Sequence, residues 1–519
     1  DHRRAARQEC RMTKRVLAAF LGFITLSTPA QPVFRVTHDE PGFPLSGRLV
    51  VYFVDESSAI DEVPSAAPFF SDPQPMAGAD VERWRAGDAF LIDSFEQTFP
   101  VDGIPPGRYR VQAVLDRSRL SSDWSREAGN LYSGIARVAF AEGESPEVEL
   151  RLDQAVEEGV AVSQGRVEFR RIESRLLTDA RLASGERVFV DVGVIPPIDA
   201  EEGERYPVVY QVPGFGGTHE GAVRMAQRLE SARPTSPLGR LARSAYWVVL
   251  NPDGPNGHHK FVDSRANGPV GRTLVEEVVP AIDAFYPTIA DANARMLRGH
   301  SSGGWSVIHL AVTYPETFGG AWSSAPDPLD FRAFQAVNIY DDANMYVDSD
   351  GKPWPSYTHV SGEVRMTIAD ENAMESVMGP GNTSGQQWDS WQAAFGTVDD
   401  LGNPAPLYNE RTGVIERRIG EVFRRNDLAD RVRRDRATTG RLARDRVRVI
   451  VGDADEFDLA EGVRLFVESV EGFGFGPQED GGWYAIVPGA THGSVLRSRA
   501  AEQLLSDMAD AAEAAVSTE

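Results

Sequence analysis

From about residue 165 onward, short apolar segments alternate regularly with segments whose apolar residues recur at helical spacing. The apolar segments, typical of strands, lie at 187–194, 206–212, 245–250, 294–298, 320–324, 447–451 and 483–487. The helical segments lie at 220–231, 273–285, 304–313 and 460–470. A chain that alternates in this way buries its strands in a mostly parallel sheet with helices on both faces. The pattern therefore predicts an α/β fold with a doubly wound sheet.

Residues 33–155 have a different rhythm, in which apolar runs such as 47–54 and 107–115 are separated by turn residues at short intervals. This pattern is typical of an antiparallel sandwich, and we expect a small all-β, immunoglobulin-like domain here. A polar, acidic connector at 157–165 follows it. A chain of 519 residues is long enough for two domains, which we place at 33–155 and 165–519.

Between residues 326 and 445 the alternation stops, and Trp, Tyr, Asn, Asp and Gly become frequent. We expect an insertion over the carboxyl edge of the sheet, where a cap commonly shapes a ligand pocket. A surface excursion with its own small core is the alternative. The aromatic residues Trp354, Tyr357, Trp388 and Trp391 could either grip a ligand or pack in such a core.

The formal net charge is −24, and lysine occurs only at positions 14, 260 and 352. A nucleic-acid-binding protein needs a basic surface, so this balance excludes a partner with a phosphate backbone.

Residues 1–30 are assigned to upstream residues and a secretory signal peptide. Lys14 and Arg15 precede the apolar run 16–26, and the small residues Thr28-Pro29-Ala30 follow it. A membrane anchor is the weaker alternative, because spanning a bilayer takes roughly 20 apolar residues. We therefore expect a secreted or periplasmic protein. Cleavage after Ala30 would remove Cys10, the only cysteine, and leave no disulfide and no cysteine-based metal site.

The segment Gly299-His300-Ser301-Ser302-Gly303-Gly304 follows a predicted strand and opens a predicted helix. In a nucleophile elbow the turn is so tight that the neighbours of the serine must be small, hence glycine two residues before it and two after. The Gly-x-Ser-x-Gly pattern also occurs in ordinary tight turns, but its strand-turn-helix context favours catalysis. Ser301 is therefore the predicted nucleophile.

A serine hydroxyl reacts at neutral pH only when a base removes its proton, and after an elbow the acid and then the histidine follow in sequence. Of the nine histidines, only His492 comes after the last long strand-helix unit, in the loop behind the predicted strand 483–487. For the acid, Asp455 is preferred over Asp453, because a turn that begins at Gly452 directs the third residue after it toward the histidine. The unused aspartate would stabilise a turn or cap a helix.

Two backbone N–H groups should stabilise the negative charge that develops on the carbonyl oxygen during attack. One belongs to Ser302, and the other to the glycine-rich loop 213–217, where Phe215 is preferred and Gly216 is the alternative. Further candidates for substrate contact are Gly214, Gly216, His219, His258 and Trp305.

Metal-binding patterns are weak in this sequence. No two histidines have the His-x-x-x-His spacing of a metalloprotease helix. The segment Asp348-Ser349-Asp350-Gly351 lacks the distal glutamate of a calcium loop, so a solvated turn is expected. The prediction is a site without a metal or a cofactor.

Five motifs together resemble the putative esterase family, which includes esterase D, enterochelin esterases, feruloyl esterases and the mycolyltransferases. They are Pro213-Gly214-Phe215-Gly216-Gly217, Asn267-Gly268-Pro269, the elbow with Trp305, Asp455-Glu456-Phe457 and His492-Gly493. The resemblance covers residue 187 to the C-terminus. It implies an α/β-hydrolase fold and a serine acyl-enzyme mechanism carried by Ser301, Asp455 and His492. The preceding sandwich looks like the accessory β-domain of enterochelin esterases.

These features predict an exported hydrolase that acts on a small-molecule or polysaccharide-linked carboxylic ester. Acyl transfer to an alcohol by the same triad, peptide cleavage and a non-catalytic binding role on the same scaffold are the alternatives. Pro213 and Arg298 depart from the family pattern, and the substrate stays open among feruloyl esters, siderophore lactones, acetylated polysaccharides and simple aryl esters.

Overall fold

A computed structural model describes residues 31–67, 69–92, 97–159, 161–180, 187–478 and 481–517. The predicted signal peptide at 1–30 lies outside these ranges. None of the helices within them has the length and apolar character needed to cross a membrane.

The first part of the chain, which we call the β-region (residues 33–155), is a nine-stranded sheet around its own apolar core. Its strands are β1 (Val33–His38), β2 (Leu45–Asp55), β3 (Met76–Trp84), β4 (Phe90–Ile92), β5 (Gln97–Phe99), β6 (Gly107–Asp116), β7 (Leu131–Ser133), β8 (Ala136–Phe140) and β9 (Glu147–Ala155). They are hydrogen-bonded in the order β4-β1-β9-β7-β6-β2-β3-β5, with β8 also on β6. The β1–β9 pair is parallel.

Strands β1 and β2 are not neighbours in the sheet order, yet the rings of Phe34 on β1 and Phe53 on β2 pack edge to face with their centroids 5.7 Å apart. The sheet therefore curls around its core. The long strand β6 pairs with β7 near one end and with β8 near the other, so two layers share one continuous hydrogen-bonded sheet. Period-2 alternation in the sequence shows which face of a strand is buried but not which strands become neighbours. The immunoglobulin-like topology stays a prediction.

The rest of the chain, the α/β region, contains a second nine-stranded sheet and a small hairpin. The strands are β10 (Glu168–Ser174), β11 (Val188–Ile195), β12 (Val208–Val212), β13 (Tyr246–Leu250), β14 (Arg295–His300), β15 (Gly320–Ser324), β16 (Pro355–Thr358), β17 (Val364–Thr367), β18 (Val447–Gly452), β19 (Gly474–Phe475) and β20 (Trp483–Val487). The sheet order is β10-β11-β13-β12-β14-β15-β18-β20-β19, and β16 pairs with β17 alone.

The strands from β13 to β19 in that order are parallel to one another. Strand β11 runs in the opposite direction and pairs antiparallel with both β10 and β13. The central strands β12 and β13 are buried along their whole length, as their continuous apolar sequences require. Parallel strands end at the same edge of a sheet. The loops after β12, β14, β15, β18 and β20 therefore meet at one edge.

Helices complete the α/β fold that the sequence pattern predicts. They are α1 (Arg175–Ala180), α2 (Ala222–Ser231), α3 (Pro237–Ser244), α4 (Val270–Thr273), α5 (Val279–Phe285), α6 (Ser302–Thr313), α7 (Ile368–Met378), α8 (Gln387–Phe395), α9 (Arg417–Phe423), α10 (Leu428–Arg434), α11 (Arg441–Arg446), α12 (Leu459–Ser469) and α13 (Arg499–Ser517). A π-helical turn, Leu274–Val278, links α4 to α5. The sequence predicted a single helix over 273–285, whereas the structure has this turn followed by α5 over the same residues.

The segment between β15 and β18 carries the hairpin β16–β17 and the helices α7 to α11. Trp388 and Trp391 of this segment pack in the core shared with the sheet and are 1% and 2% exposed, and Trp354 packs against that core. Tyr357 packs instead against a smaller cluster shared with the β-region. α7 also packs against the β-region, in a cluster that joins Val50 and Met76 to Met374 and Val377. This segment thus connects the two sheets.

Candidate active site

Ser301 occupies the turn between β14 and α6 with φ 58° and ψ −127°. This conformation is rare for a residue with a side chain and is found where a tight turn forces it. It is the backbone geometry of a nucleophile elbow.

The glycines of this turn are required by the close approach of neighbouring backbone. A Cβ atom on Gly299 would lie 2.1 Å from the carbonyl oxygen of Gly303, and one on Gly303 would lie 2.2 Å from that of Val212. No side chain fits at such distances. The spacing of the motif is therefore a packing requirement of the elbow.

His492 and Asp455 form a hydrogen-bonded pair at the carboxyl edge of the sheet. The distance from Nδ1 of His492 to Oδ2 of Asp455 is 2.8 Å, and the aspartate side chain is fully buried. Burial disfavours the imidazolium, but the hydrogen bond and the negative charge of Asp455 outweigh it and raise the pKa of His492 above 6.5.

Asp453, the alternative acid, has a different contact. Its Oδ1 accepts a hydrogen bond from the backbone N–H of Gly489 at 2.6 Å, and the residue is exposed. Glu456, which the sequence analysis did not single out, accepts a hydrogen bond from the backbone N–H of His492 at 2.6 Å. Both carboxylates hold the histidine loop, while Asp455 contacts the ring.

The rings around His492 restrict its orientation. His300 and Phe457 lie with ring centroids 4.6 and 5.0 Å from that of His492. Burial, assisted by the charge of His492, lowers the pKa of His300 to about 3, so His300 is a neutral wall. Of the two imidazoles, His492 and not His300 is therefore the one that can exchange a proton near neutral pH.

The glycine-rich loop 213–217 lies beside Ser301. A Cβ atom on Gly214 would be 3.2 Å from the carbonyl oxygen of His300 and 3.3 Å from the Cβ of Ser301, so a side chain here would press on the turn that carries Ser301. Ser302 is buried at the start of α6, and its hydroxyl donates to Asp327. The predicted donors Phe215 and Ser302 thus flank the serine from two neighbouring strand ends.

A pocket of about 280 Å³ opens at this point. The described residues that line it include Ser301, His492, Gly214 and Phe215 together with mainly aromatic and amide side chains. These are Phe70, His300, Asp327, Gln335, Glu371, Gln387, Trp391, Phe457 and Leu459.

Of the five residues predicted to contact the substrate, only Gly214 is among the described residues that line this pocket. Trp305 is fully buried and stacks on His309, and His219 packs against Phe169. His258 lies behind the glycine loop, where its Nε2 bonds to the carbonyl oxygen of Pro213 at 3.0 Å. The helix and loops that carry these three rings direct them toward the protein core and away from the pocket. A sequence motif does not show in which direction a side chain points. Gly216 lines a neighbouring cleft.

Sequence reasoning missed Asp327, which is buried just beyond the end of β15. Its Oδ2 accepts from the hydroxyl of Ser302 and from Nε1 of Trp391, both at 2.7 Å, and lies 3.6 Å from Nζ of Lys260. Burial, partly offset by Asp327, lowers the pKa of Lys260 to about 8. The available signal was an acidic residue directly after a predicted parallel strand.

Among the described residues, no three His, Cys, Asp or Glu side chains lie together in a way that could hold a metal ion. The chemistry that the arrangement offers is acid–base: a serine hydroxyl at a strained turn, and an imidazole held by a buried carboxylate in the same pocket.

Comparison with known proteins identifies the central part of the chain. Residues 190–394 match the family model described as putative esterase. This segment belongs to the putative esterase family. The protein is accordingly a serine esterase, a hydrolase of carboxylic esters. No curated protein sequence matches the chain.

Solved esterase structures are similar to the chain at low identity. A ferulic acid esterase is 14% identical over 69% of this chain and 100% of its own, with a TM-score of 0.38. The S-formylglutathione hydrolase of Agrobacterium tumefaciens is 15% identical over 68% and 94%, with a TM-score of 0.34. The ferulic acid esterase of Anaeromyces mucronatus is 12% identical over 69% and 94%, with a TM-score of 0.34. These are likenesses only, and the identification depends on the family model.

Proposed function

We propose that this esterase cleaves its substrate through Ser301, His492 and Asp455 by way of an acyl-enzyme. The observation that carries the proposal is the pocket that Ser301 and His492 share, with Asp455 bonded to Nδ1 of the imidazole. Because Nδ1 is engaged, Nε2 is the nitrogen that accepts the proton of the serine hydroxyl.

In the first half-reaction Oγ of Ser301 bonds to the carbonyl carbon, and its proton moves to His492. The backbone N–H groups of Phe215 and Ser302 stabilise the oxyanion, and the imidazolium returns its proton to the departing alcohol. In the second half-reaction water gives its proton to His492 and attacks the acyl-enzyme. The bond between the acyl carbon and Oγ of Ser301 then breaks while the imidazolium gives its proton to Oγ, which releases the acid and restores the serine.

The test is hydrolysis of 4-nitrophenyl acetate by the wild type and by Ser301→Ala. By analogy with other triads, the variant should lose on the order of 10⁶ in kcat. Ser231→Ala, at an exposed position on α2, is the matched control and should retain full activity. A fluorophosphonate should label the peptide that contains Ser301 in the wild type only. Turnover within about tenfold of wild type in Ser301→Ala, against that expected loss, would refute the mechanism.

We also propose that the protein is exported, on the basis of Lys14, Arg15 and the apolar run 16–26. Expression of the full sequence in a bacterial host should yield a processed chain outside the cytoplasm that begins at Gln31. N-terminal sequencing of that fraction checks this, and an unprocessed cytoplasmic chain would contradict it.

A further inference from the structure

The β-region reaches into the catalytic pocket. Phe70, in the loop between β2 and β3, lines the pocket together with Ser301 and His492. Its ring centroid lies 5.2 Å from that of Phe457, which itself packs on the ring of His492. One wall of the esterase pocket is therefore built by a residue that lies outside the α/β region.

The β-region also holds the glycine loop. Nη2 of Arg126 donates to the carbonyl oxygen of Gly216 at 2.6 Å. The same guanidinium lies 3.4 Å from Asp123 and 3.8 Å from Asp253, so its charge is already compensated. Arg126 on one side and His258 on the other thus fix the loop that carries the predicted oxyanion donor.

A second cavity, which we call the inter-region cleft, lies between the β-region and the α/β region and has a volume of about 1030 Å³. Phe215 lines both this cleft and the catalytic pocket, and the adjacent residues Phe69 and Phe70 line the cleft and the pocket respectively. The two cavities therefore adjoin at the glycine loop. A pocket of about 280 Å³ can hold a small ester but not an oligosaccharide chain attached to it, and the cleft offers the volume for that larger part of a substrate.

The lining of the cleft combines aromatic faces with amide and hydroxyl groups. The aromatic side chains include Phe69, Trp124 and Tyr132, and the polar ones include Ser65, Gln154 and Gln386. A sugar ring has C–H groups on its faces and hydroxyls around its edge, so it matches such a lining.

The charges of the cleft disfavour an anionic ligand. Among the described residues that line it, Asp123 and Glu157 are acidic, and the one basic side chain, Arg126, is already paired. The single positive charge of Arg126 is shared between Asp123 and Asp253, so these charges leave an excess of negative charge at the cleft, which repels an anion but not a neutral ligand.

We propose that the inter-region cleft is a second substrate subsite, which binds an uncharged, polyhydroxylated group such as the oligosaccharide of a sugar ester while the scissile bond lies at Ser301. The inference rests on the proposed function, because it assigns the rest of the substrate to a site next to the proposed triad. The β-region is then part of the substrate site rather than an appendage.

Kinetics on two esters test the subsite. Trp124→Ala should lower kcat/KM for an acetylated xylo-oligosaccharide about tenfold, and leave that for 4-nitrophenyl acetate unchanged because this small ester does not reach the cleft. Phe43→Ala, which removes an aromatic ring that is 93% exposed elsewhere on the β-region, is the matched control and should change neither value. Equal effects of Trp124→Ala on both esters, or none on either, would overturn the proposal.

A second variant avoids dependence on Trp124. Gly134 lines the cleft, and a Cβ atom there would meet only the end of the Gln154 side chain, at 4.0 Å. Gly134→Leu should therefore fold normally and obstruct the cleft, with the same selective loss on the oligosaccharide ester. An unchanged ratio of the two kcat/KM values would count against the subsite.

Binding without turnover separates this inference from the proposed function. Ser301→Ala should bind unesterified xylohexaose saturably, as measured by tryptophan fluorescence or calorimetry, and adding Trp124→Ala should weaken binding about tenfold. No saturable binding, or a preference for oligogalacturonate or chitosan oligomers over neutral chains, would overturn the cleft assignment. Loss of triad function with intact xylohexaose binding would instead refute the mechanism alone.

Discussion

Ser301 combines a strained backbone with a position at the N-terminus of α6, a helix buried from Ser302 to Val312. A residue in such a sparsely populated conformation costs on the order of 1–3 kcal/mol and persists only where its surroundings impose it. The steric contacts of Gly299 and Gly303 impose it here. The side chain of Ser301 is thereby presented to the pocket rather than to solvent.

The two candidate acids differ in contact, and mutation should separate them. Asp455→Asn removes the buried charge next to Nδ1 of His492, so kcat should fall by about 10⁴. Asp453→Asn alters only an exposed hydrogen bond with the backbone N–H of Gly489, so its kcat should stay within about threefold of wild type. Steady-state hydrolysis of 4-nitrophenyl acetate measures both, and a larger loss in Asp453→Asn would reverse the assignment.

The pH profile should report His492. The base must be neutral, so kcat/KM is lost as the pH falls through its pKa, which Asp455 holds above 6.5. Titration of the imidazole by NMR in Ser301→Ala should give this pKa, and adding Asp455→Asn should lower it. A pKa that stays the same or rises in the double variant would show that Asp455 does not act on this ring.

At the level of elements, the junction of α7 and α8 contains three buried carboxyl groups. Glu375 accepts hydrogen bonds from the backbone N–H groups of Trp388 and Asp389 and so caps the start of α8. Burial raises the pKa of Glu371 and of Asp389 to about 7 and raises that of Glu375 well above its usual value. Near neutral pH these groups hold protons that the unfolded chain has lost.

Stability should therefore fall as the pH rises from about 4.5 to above 7, because the folded state binds more protons than the unfolded state over that interval. Glu371→Gln removes one such group and can keep the contact with Ser356. It should therefore reduce the loss of unfolding free energy over this pH interval by roughly 1–3 kcal/mol. Urea unfolding at several pH values measures this, with Glu230→Gln, at an exposed position, as the control. An identical pH slope in Glu371→Gln would be the contrary result.

At the scale of the whole molecule, Arg48 ties the β-region to helix α7 of the α/β region. It is fully buried on β2, its Nε donates to the carbonyl oxygen of Val377 at the end of α7 at 2.8 Å, and it pairs with Asp80. A shared apolar cluster surrounds this contact. The β-region, whose loops carry Phe70 and Arg126, is thereby held against the carboxyl edge of the sheet.

Arg48→Ala should cost about 1–3 kcal/mol in the free energy of unfolding, since it leaves the buried carbonyl oxygen of Val377 without its donor. Arg108→Ala, whose side chain is 74% exposed, should cost less than about 1 kcal/mol. Chemical denaturation compares the two. Similar values for both variants would mean that Arg48 does not hold the interface.

The elements that depend on local sequence were predicted well. The strands at 320–324 and 483–487 have the predicted bounds, and the elbow at Ser301 follows its predicted strand. Hydrophobic period and steric exclusion at glycine act between near neighbours, so they can be read along the chain. The pairing of β1 with β9 and the π-helical turn before α5 could not be predicted from the sequence, because they depend on how distant segments pack.

The sequence by itself determined the α/β class, the position of the tight turn at Ser301 and the order in which Ser301, Asp455 and His492 follow one another, because these depend on residue type and short-range geometry. Only the tertiary structure decided which aspartate meets His492, that Asp327 joins Ser302 to Lys260, and that Phe70 enters the pocket. The residues of these contacts come from separate loops or from different sheets, and they become neighbours only when the carboxyl edge of the sheet and the β-region come together.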